Sequence, residues 1–237
     1  MKLSLLAVGL LLAFASSANA QDEMEEEDKP VTVTATFVSD YRFRGISQTQ
    51  KDPALQLGFT YATEPGFYIG AWGSNVDFAA NDGASLEIDG YIGWAYDIND
   101  DFAADVQLVR YFYPKADVDL EYTELIGKLS AFGFTGLVGY SNDVFASGET
   151  GIYYSGGYSV VVAEEYTLAA NIGYYDLEDI RNIPGRGITD YNIGVSRNFG
   201  PLIVGLAYVD TNDKLPELFE GSSSGRFVFS MGATFNF

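Results

Sequence analysis

The chain has 237 residues, a formal charge of −20, and neither histidine nor cysteine. Lacking histidine, it has no Ser-His-Asp or Cys-His nucleophile and no His-ligated zinc; lacking cysteine, it has no disulfides. Its acidic balance also excludes the basic surface that nucleic acids require.

Residues 1–20 read as an export signal: Lys2 supplies the positive charge, Leu3 to Phe14 the apolar run, and Ala18-Asn19-Ala20 the small-residue cleavage site. That run is shorter than the roughly 20 residues a spanning helix needs. Residues 21–30 carry the acidic block Asp22-Glu23-Met24-Glu25-Glu26-Glu27-Asp28, expected to be a solvated, disordered periplasmic tail. No later segment is long, apolar and uncharged, so membrane insertion would require a closed barrel.

From residue 31 to 237 the pattern has period two. It predicts twelve strands at 31–44, 54–62, 67–75, 85–96, 102–113, 121–131, 134–142, 151–161, 166–175, 189–199, 202–210 and 226–237. In the second, Leu55, Leu57, Phe59 and Tyr61 alternate with Gln56, Gly58, Thr60 and Ala62. In the fourth, Leu86, Ile88, Ile92 and Trp94 oppose Glu87, Asp89 and Tyr91. The third, seventh and eighth leave open which face is which. The last is the clearest: Phe227, Phe229, Met231, Ala233, Phe235 and Phe237 oppose Arg226, Val228, Ser230, Gly232, Thr234 and Asn236. An apolar face meeting lipid and a small or polar face meeting a lumen is what an antiparallel transmembrane β-barrel requires. Phe229, Met231, Phe235 and Phe237 also form a candidate assembly signal for the outer-membrane barrel assembly machinery.

The predicted connections alternate long and short without exception. Long extracellular loops and short periplasmic turns give this rhythm, with both termini periplasmic. Glu64-Pro65-Gly66, Phe132-Gly133 and Gly200-Pro201 supply turn chemistry. The seventeen tyrosines, seventeen phenylalanines and two tryptophans suit aromatic girdles at two membrane boundaries.

Two motifs carry no chemistry. Gly221-Ser222-Ser223-Ser224-Gly225 imitates a nucleophile elbow but lies in a long loop of a chain without histidine. Asp97-Ile98-Asn99-Asp100-Asp101 imitates a calcium loop, but Phe102 occupies the position that needs glycine.

Chemistry is expected instead on the inward faces. Strand one would place Asp40, Arg42 and Arg44 opposite Phe37, Tyr41 and Phe43. Glu87, Asp89, Asp105, Gln107, Glu124 and Lys128 would point the same way. Charges inside a barrel line a pore or pair into a plug-like network. The expected pairs are Arg42 with Glu87 or Asp89, and Lys128 with Asp105. Asp40, Arg42 and Arg44 could form a charged constriction or anchor the first loop, and the ordered-turn character of Gly45-Ile46-Ser47-Gln48-Thr49 favours the anchor. Arg110 and Arg197 fall on the lipid side by parity, near strand ends where snorkelling costs little; for Arg110 a bulge turning it inward is an equal alternative.

The run Ser39-Asp40-Tyr41-Arg42-Phe43-Arg44-Gly45-Ile46-Ser47-Gln48-Thr49 resembles the opening signature of the TorF family of Gram-negative porins. Gly66-Phe67-Tyr68-Ile69-Gly70-Ala71-Trp72-Gly73-Ser74-Asn75-Val76-Asp77-Phe78 matches as well, as do Tyr111-Phe112-Tyr113-Pro114 and Glu121-Tyr122-Thr123-Glu124 more weakly. The resemblance covers the chain after the acidic tail, which is not part of that pattern. It implies an outer-membrane β-barrel and supplies no catalytic residues.

The expectation is therefore a monomeric, twelve-stranded outer-membrane barrel with no cofactor or metal and no enzymatic activity. Its partners would be outer-membrane lipids including lipopolysaccharide, the assembly machinery, and small ions or polar solutes crossing a narrow passive channel that prefers cations. The alternative is a closed lumen with a structural or surface role for the loops.

Overall fold

The computed structural model describes residues 29–78, 83–163, 165–177, 187–212 and 223–237. The export segment and the acidic tail up to residue 28 lie outside these. Strands that are apolar on one face and small or polar on the other can hide their hydrogen-bonding edges from lipid only by closing into a ring. That is the arrangement found. In chain order the strands are β1 (Val31–Val38), β2 (Arg42–Phe43), β3 (Ile46–Ser47), β4 (Ala54–Ala62), β5 (Phe67–Asn75), β6 (Leu86–Asp97), β7 (Phe102–Phe112) and β8 (Tyr122–Ala131). They continue as β9 (Phe134–Ser141), β10 (Gly151–Val162), β11 (Tyr166–Asp176), β12 (Ile188–Phe199), β13 (Leu202–Thr211) and β14 (Arg226–Asn236). All except β2 and β3 form one closed antiparallel barrel. Each pairs with its chain neighbours, and β1 closes on β14 with Val33 opposite Phe235 and Phe37 opposite Met231.

Eleven of the twelve expected strands lie within one residue of their expected ends. The exception is the first. It was expected to run to residue 44 but stops at Val38, because the chain leaves the sheet at Ser39 and turns into the barrel. The strand ends that flank the long connections (38 and 54, 75 and 86, 112 and 122, 141 and 151, 176 and 188, 211 and 226) lie at one end of the barrel. The strand ends that flank the short turns (62 and 67, 97 and 102, 131 and 134, 162 and 166, 199 and 202) lie at the other, with both ends of the barrel chain. In the turn after β6, Asn99 Oδ1 accepts the N–H groups of Asp101 and Phe102, an Asx turn rather than an ion loop.

The outer surface is banded. Leu57, Ile69, Ile92, Val106, Leu125, Leu129, Val138, Ile172, Ile193, Leu206 and Met231 stand exposed around the middle. Phe67, Trp94, Tyr96, Phe102, Phe132, Phe134 and Tyr158 ring the short-turn end, several in mutual ring contact. Phe112, Tyr140, Tyr154, Tyr174, Tyr191 and Phe227 ring the other end. These are the lipid belt and the two girdles of a transmembrane barrel.

The faces left open in sequence now resolve. Phe67, Ile69 and Ala71 face outward on β5, Phe134, Val138 and Tyr140 on β9, and Tyr154, Tyr158 and Val160 on β10. Arg110 and Arg197 sit on the outer face in unbroken register, so no bulge turns Arg110 inward. Arg110 pairs with Glu121 at 3.0 Å and lies 5.7 Å from the Phe112 ring centre. Arg197 pairs with Glu165 and lies over Tyr166 and Phe199. Both cations are thus held at the membrane boundary by an acid and an aromatic ring.

Candidate functional site in the lumen

Segment 39–53 begins where Ser39 makes the last contact with the sheet, exchanging hydrogen bonds with Phe229. Beyond it, β2 and β3 form a small hairpin with Arg42 opposite Ser47 and Phe43 opposite Ile46. Its two-residue loop, Arg44-Gly45, has positive φ at both positions, 48° and 81°, the signature of the tight turn that matches strand twist. Asp40 holds the base: its carboxylate accepts from Ser47 Oγ and from Arg42 Nε at 2.8 Å. Arg42 Nη1 then reaches Gly45 O at 2.9 Å, and Nη2 reaches Ser224 O at 2.8 Å, tying the hairpin to the last long connection. Arg226 lies 3.7 Å from Asp40.

The hairpin crosses the bore and touches walls on opposite sides. Tyr41 packs edge-on to Trp72 of β5, and its hydroxyl donates to Glu87 Oε1 of β6 at 3.0 Å. Burial, reinforced by Glu87 and Asp89, pushes that hydroxyl well above its ordinary range, so it remains a donor. Tyr113, just past β7, is pushed up by burial and then by Glu87 in the same way. Phe43 meets Tyr111 of β7. Arg44 Nη2 pairs with Glu124 Oε1 of β8 at 2.6 Å, while its guanidinium lies 4.2 Å from the Tyr153 ring and 4.3 Å from that of Tyr175, on β10 and β11. A Cβ on Gly139 of β9 would stand 2.8 Å from Glu124 Oε1, so only glycine leaves the ion pair room there. At the tip, a Cβ on Gly45 would meet the Asp190 and Thr211 side chains of β12 and β13 at 2.7 and 3.3 Å. The segment is a strut braced on nearly the whole ring.

The inward-facing residues expected from sequence occupy the following places. Glu87, Asp89, Asp105, Gln107 and Glu124 are buried inside the barrel, and Lys128 is half-buried on the same inner face of β8. Asp40, Arg42 and Arg44 lie on the hairpin rather than on a strand-one ladder. Tyr41, expected to face lipid with Phe37, is fully buried inside. The expected partners of Arg42 were also wrong. It pairs with Asp40, two residues away across the base of the hairpin, because the turn carries it away from the β6 acids. Lys128 stands opposite Asp105 in register, but among the described residues no ion pair joins them, and Asp105 accepts the Tyr68 hydroxyl. Phe229, Met231, Phe235 and Phe237 face outward on and just after β14.

Sequence reasoning did not single out Tyr111, Tyr153, Tyr175 or Asp190 as site residues; strand parity points Tyr111, Tyr175 and Asp190 inward, whereas Tyr153 lies in a strand whose faces it left open. Asp190 accepts the Tyr153 hydroxyl beside the hairpin tip. Among the described residues, six buried carboxylates (Asp40, Glu87, Asp89, Asp105, Glu124, Asp190) face two guanidiniums inside the barrel, Arg42 and Arg44. Asp89 is as fully buried as Asp40 and Glu124 but differs from the others in that neither of its oxygens has a donor among the described residues.

This architecture defines a fold class, the closed twelve-stranded antiparallel barrel, which solved outer-membrane porins share. Solved structures agree. The KdgM porin superposes with a TM-score of 0.55 at 9% identity over 87% of this chain and 99% of that one. The KdgM porin in complex with disordered oligogalacturonate gives 0.52 at 8%, covering 87% and 98%. The NanC porin gives 0.54 at 11%, covering 87% and 100%. At such identities the likeness concerns the fold. None of the curated proteins compared matches the chain. Residues 24–236 match the family model described as a bacterial protein of unknown function, Gcw_chp, and the chain belongs to that family.

Proposed function

We propose that this barrel is a narrow passive channel of the outer membrane for small ions and polar solutes, with a preference for cations. The observation that carries the reading is the charged hairpin of segment 39–53, braced across the bore of an otherwise complete porin-type barrel. It narrows the lumen to a constriction whose walls hold more acid than base, and such a field favours cations. For the same reason this lumen is unsuited to a polyanionic sugar such as the oligogalacturonate named with the KdgM porin. The resemblance to TorF porins supports the same reading. In it, the long connections are extracellular, the termini periplasmic, the barrel monomeric and non-enzymatic, and the exposed Phe229, Met231, Phe235 and Phe237 serve recognition by the assembly machinery. The apolar belt meets membrane lipid, and lipopolysaccharide contacts the outer girdle.

Planar bilayers test it. Wild-type protein should give small discrete current steps and a reversal potential shifted towards that of potassium in a KCl gradient. Replacing residues 42–47 by a short Gly-Ser turn should enlarge the steps several-fold. A second reading, a closed barrel acting through its loops, is favoured by the complete burial of Asp40, Tyr41, Tyr111 and Glu124 around the hairpin. Sealed bilayers for the wild type with open ones for the shortened variant would establish that reading, and sealed bilayers for both would sink the channel.

A further inference from the structure

Among the described residues, Asp89 is the one buried carboxylate beneath the hairpin whose two oxygens both lack a protein donor. It sits on the inner face of β6, two residues from Glu87 and opposite Tyr111 of β7. Its acidic neighbours are already engaged. Glu87 accepts the Tyr41 hydroxyl, and Glu124 accepts Arg44 and, at 3.1 Å, the Tyr111 hydroxyl. Those donors are fixed by the hairpin and by ring stacking of Tyr111 on Tyr122, so none can turn to Asp89 without abandoning its own acid. A buried carboxylate without a donor either keeps its proton or is ionised beside a compensating charge.

The ion pairs show what is missing. Among the described residues Asp40 has Arg42 and Arg226, and Glu124 has Arg44, whereas no cationic side chain pairs with Asp89 or with Glu87 two residues away. One bound cation would supply that partner. Among the described residues no cluster of three metal-ligating side chains is present, which argues against a chelated divalent ion. A single hard-oxygen anchor suits an alkali-metal ion, which prefers oxygen donors and tolerates irregular coordination.

We propose that Asp89 anchors a site for one alkali-metal cation of the potassium or sodium class, seated beneath the hairpin. The site stands on lumen geometry alone; its part in permeation, as the point where a cation pauses below the constriction, rests on the channel reading.

The test uses the whole purified barrel in detergent and needs no current. Heat unfolding is followed by loss of the compact form on gels while KCl replaces N-methylglucamine chloride at constant ionic strength. Mass action predicts that potassium at about 100 times its Kd shifts the folded-to-unfolded ratio of the wild type roughly a hundredfold. Asp89→Asn should remove the potassium dependence, whereas Asp105→Asn, whose carboxylate has Tyr68, should keep it. An equal shift in wild type and Asp89→Asn, or no shift in the wild type, overturns the proposal. Should Asp89→Asn fail to fold, rubidium-soaked wild-type crystals decide: an anomalous peak beside Asp89 supports the site, and its absence refutes it. Sealed bilayers would count against the channel and leave this measurement intact.

Discussion

Arg44 and Arg110 each pair with a glutamate at similar distance, 2.6 Å to Glu124 and 3.0 Å to Glu121, yet their surroundings make them energetically unlike. The Arg44 side chain is 6% exposed and Glu124 0%, whereas Arg110 and Glu121 are both more than a third exposed. Removing one partner of a buried pair strands the other charge and costs about 3–5 kcal/mol. Removing one partner of an exposed pair costs under about 1 kcal/mol. Glu124→Ala is therefore expected to lower stability far more than Glu121→Ala in urea titrations of barrel refolded into vesicles. Near-equal losses would mean that water reaches Arg44. At this scale the sequence was partly legible. Parity alone turned Glu87, Asp89, Asp105, Gln107 and Glu124 inward, but pairing partners depend on where the chain turns, and parity is silent on that.

The hairpin was the element that period-two reading could not see. Phe37, Tyr41 and Phe43 continue the alternation of β1 against Asp40, Arg42 and Arg44, so the pattern runs unbroken through the point where the strand ends. The local signal was Arg44-Gly45, an X-Gly pair at the centre of six residues, which sequence reading split between the end of strand one and the start of an ordered turn rather than placing it at the tip of an inward hairpin. Gly45 is also where the element is most vulnerable. Its φ of 81° and its contact with Asp190 and Thr211 leave no room for a side chain. Gly45→Ala adds a backbone penalty of roughly 1–2 kcal/mol to a steric clash. The tip should lift from β12 and β13, and amide hydrogen exchange across 41–49 should rise while that of the barrel strands stays unchanged. Uniform exchange in both regions would show that the hairpin is not a separable unit.

Over the barrel as a whole, eleven of twelve strands were legible to within a residue at each end, and the reason is physical. In a membrane barrel each strand must show lipid one face and the lumen the other, so the two-residue period is enforced on every strand, and apart from the end of β1 the turns fall where it breaks. The same demand predicts how substitutions sort by face. Ile193→Arg, in the middle of the lipid belt, should cost about 2–4 kcal/mol, whereas Ser230→Arg, on the inner face of β14, should cost far less; folding titrations into lipid vesicles compare them directly. Equal costs would contradict the assignment of faces. The pairing of β1 with β14 has a consequence in time. The ring's first strand can be satisfied on its free side only by the last one in the chain, so any partly assembled sheet presents two raw edges able to recruit a neighbouring chain. Until that final strand is in place both edges stay open, and the sheet's most hazardous moment comes just before it closes.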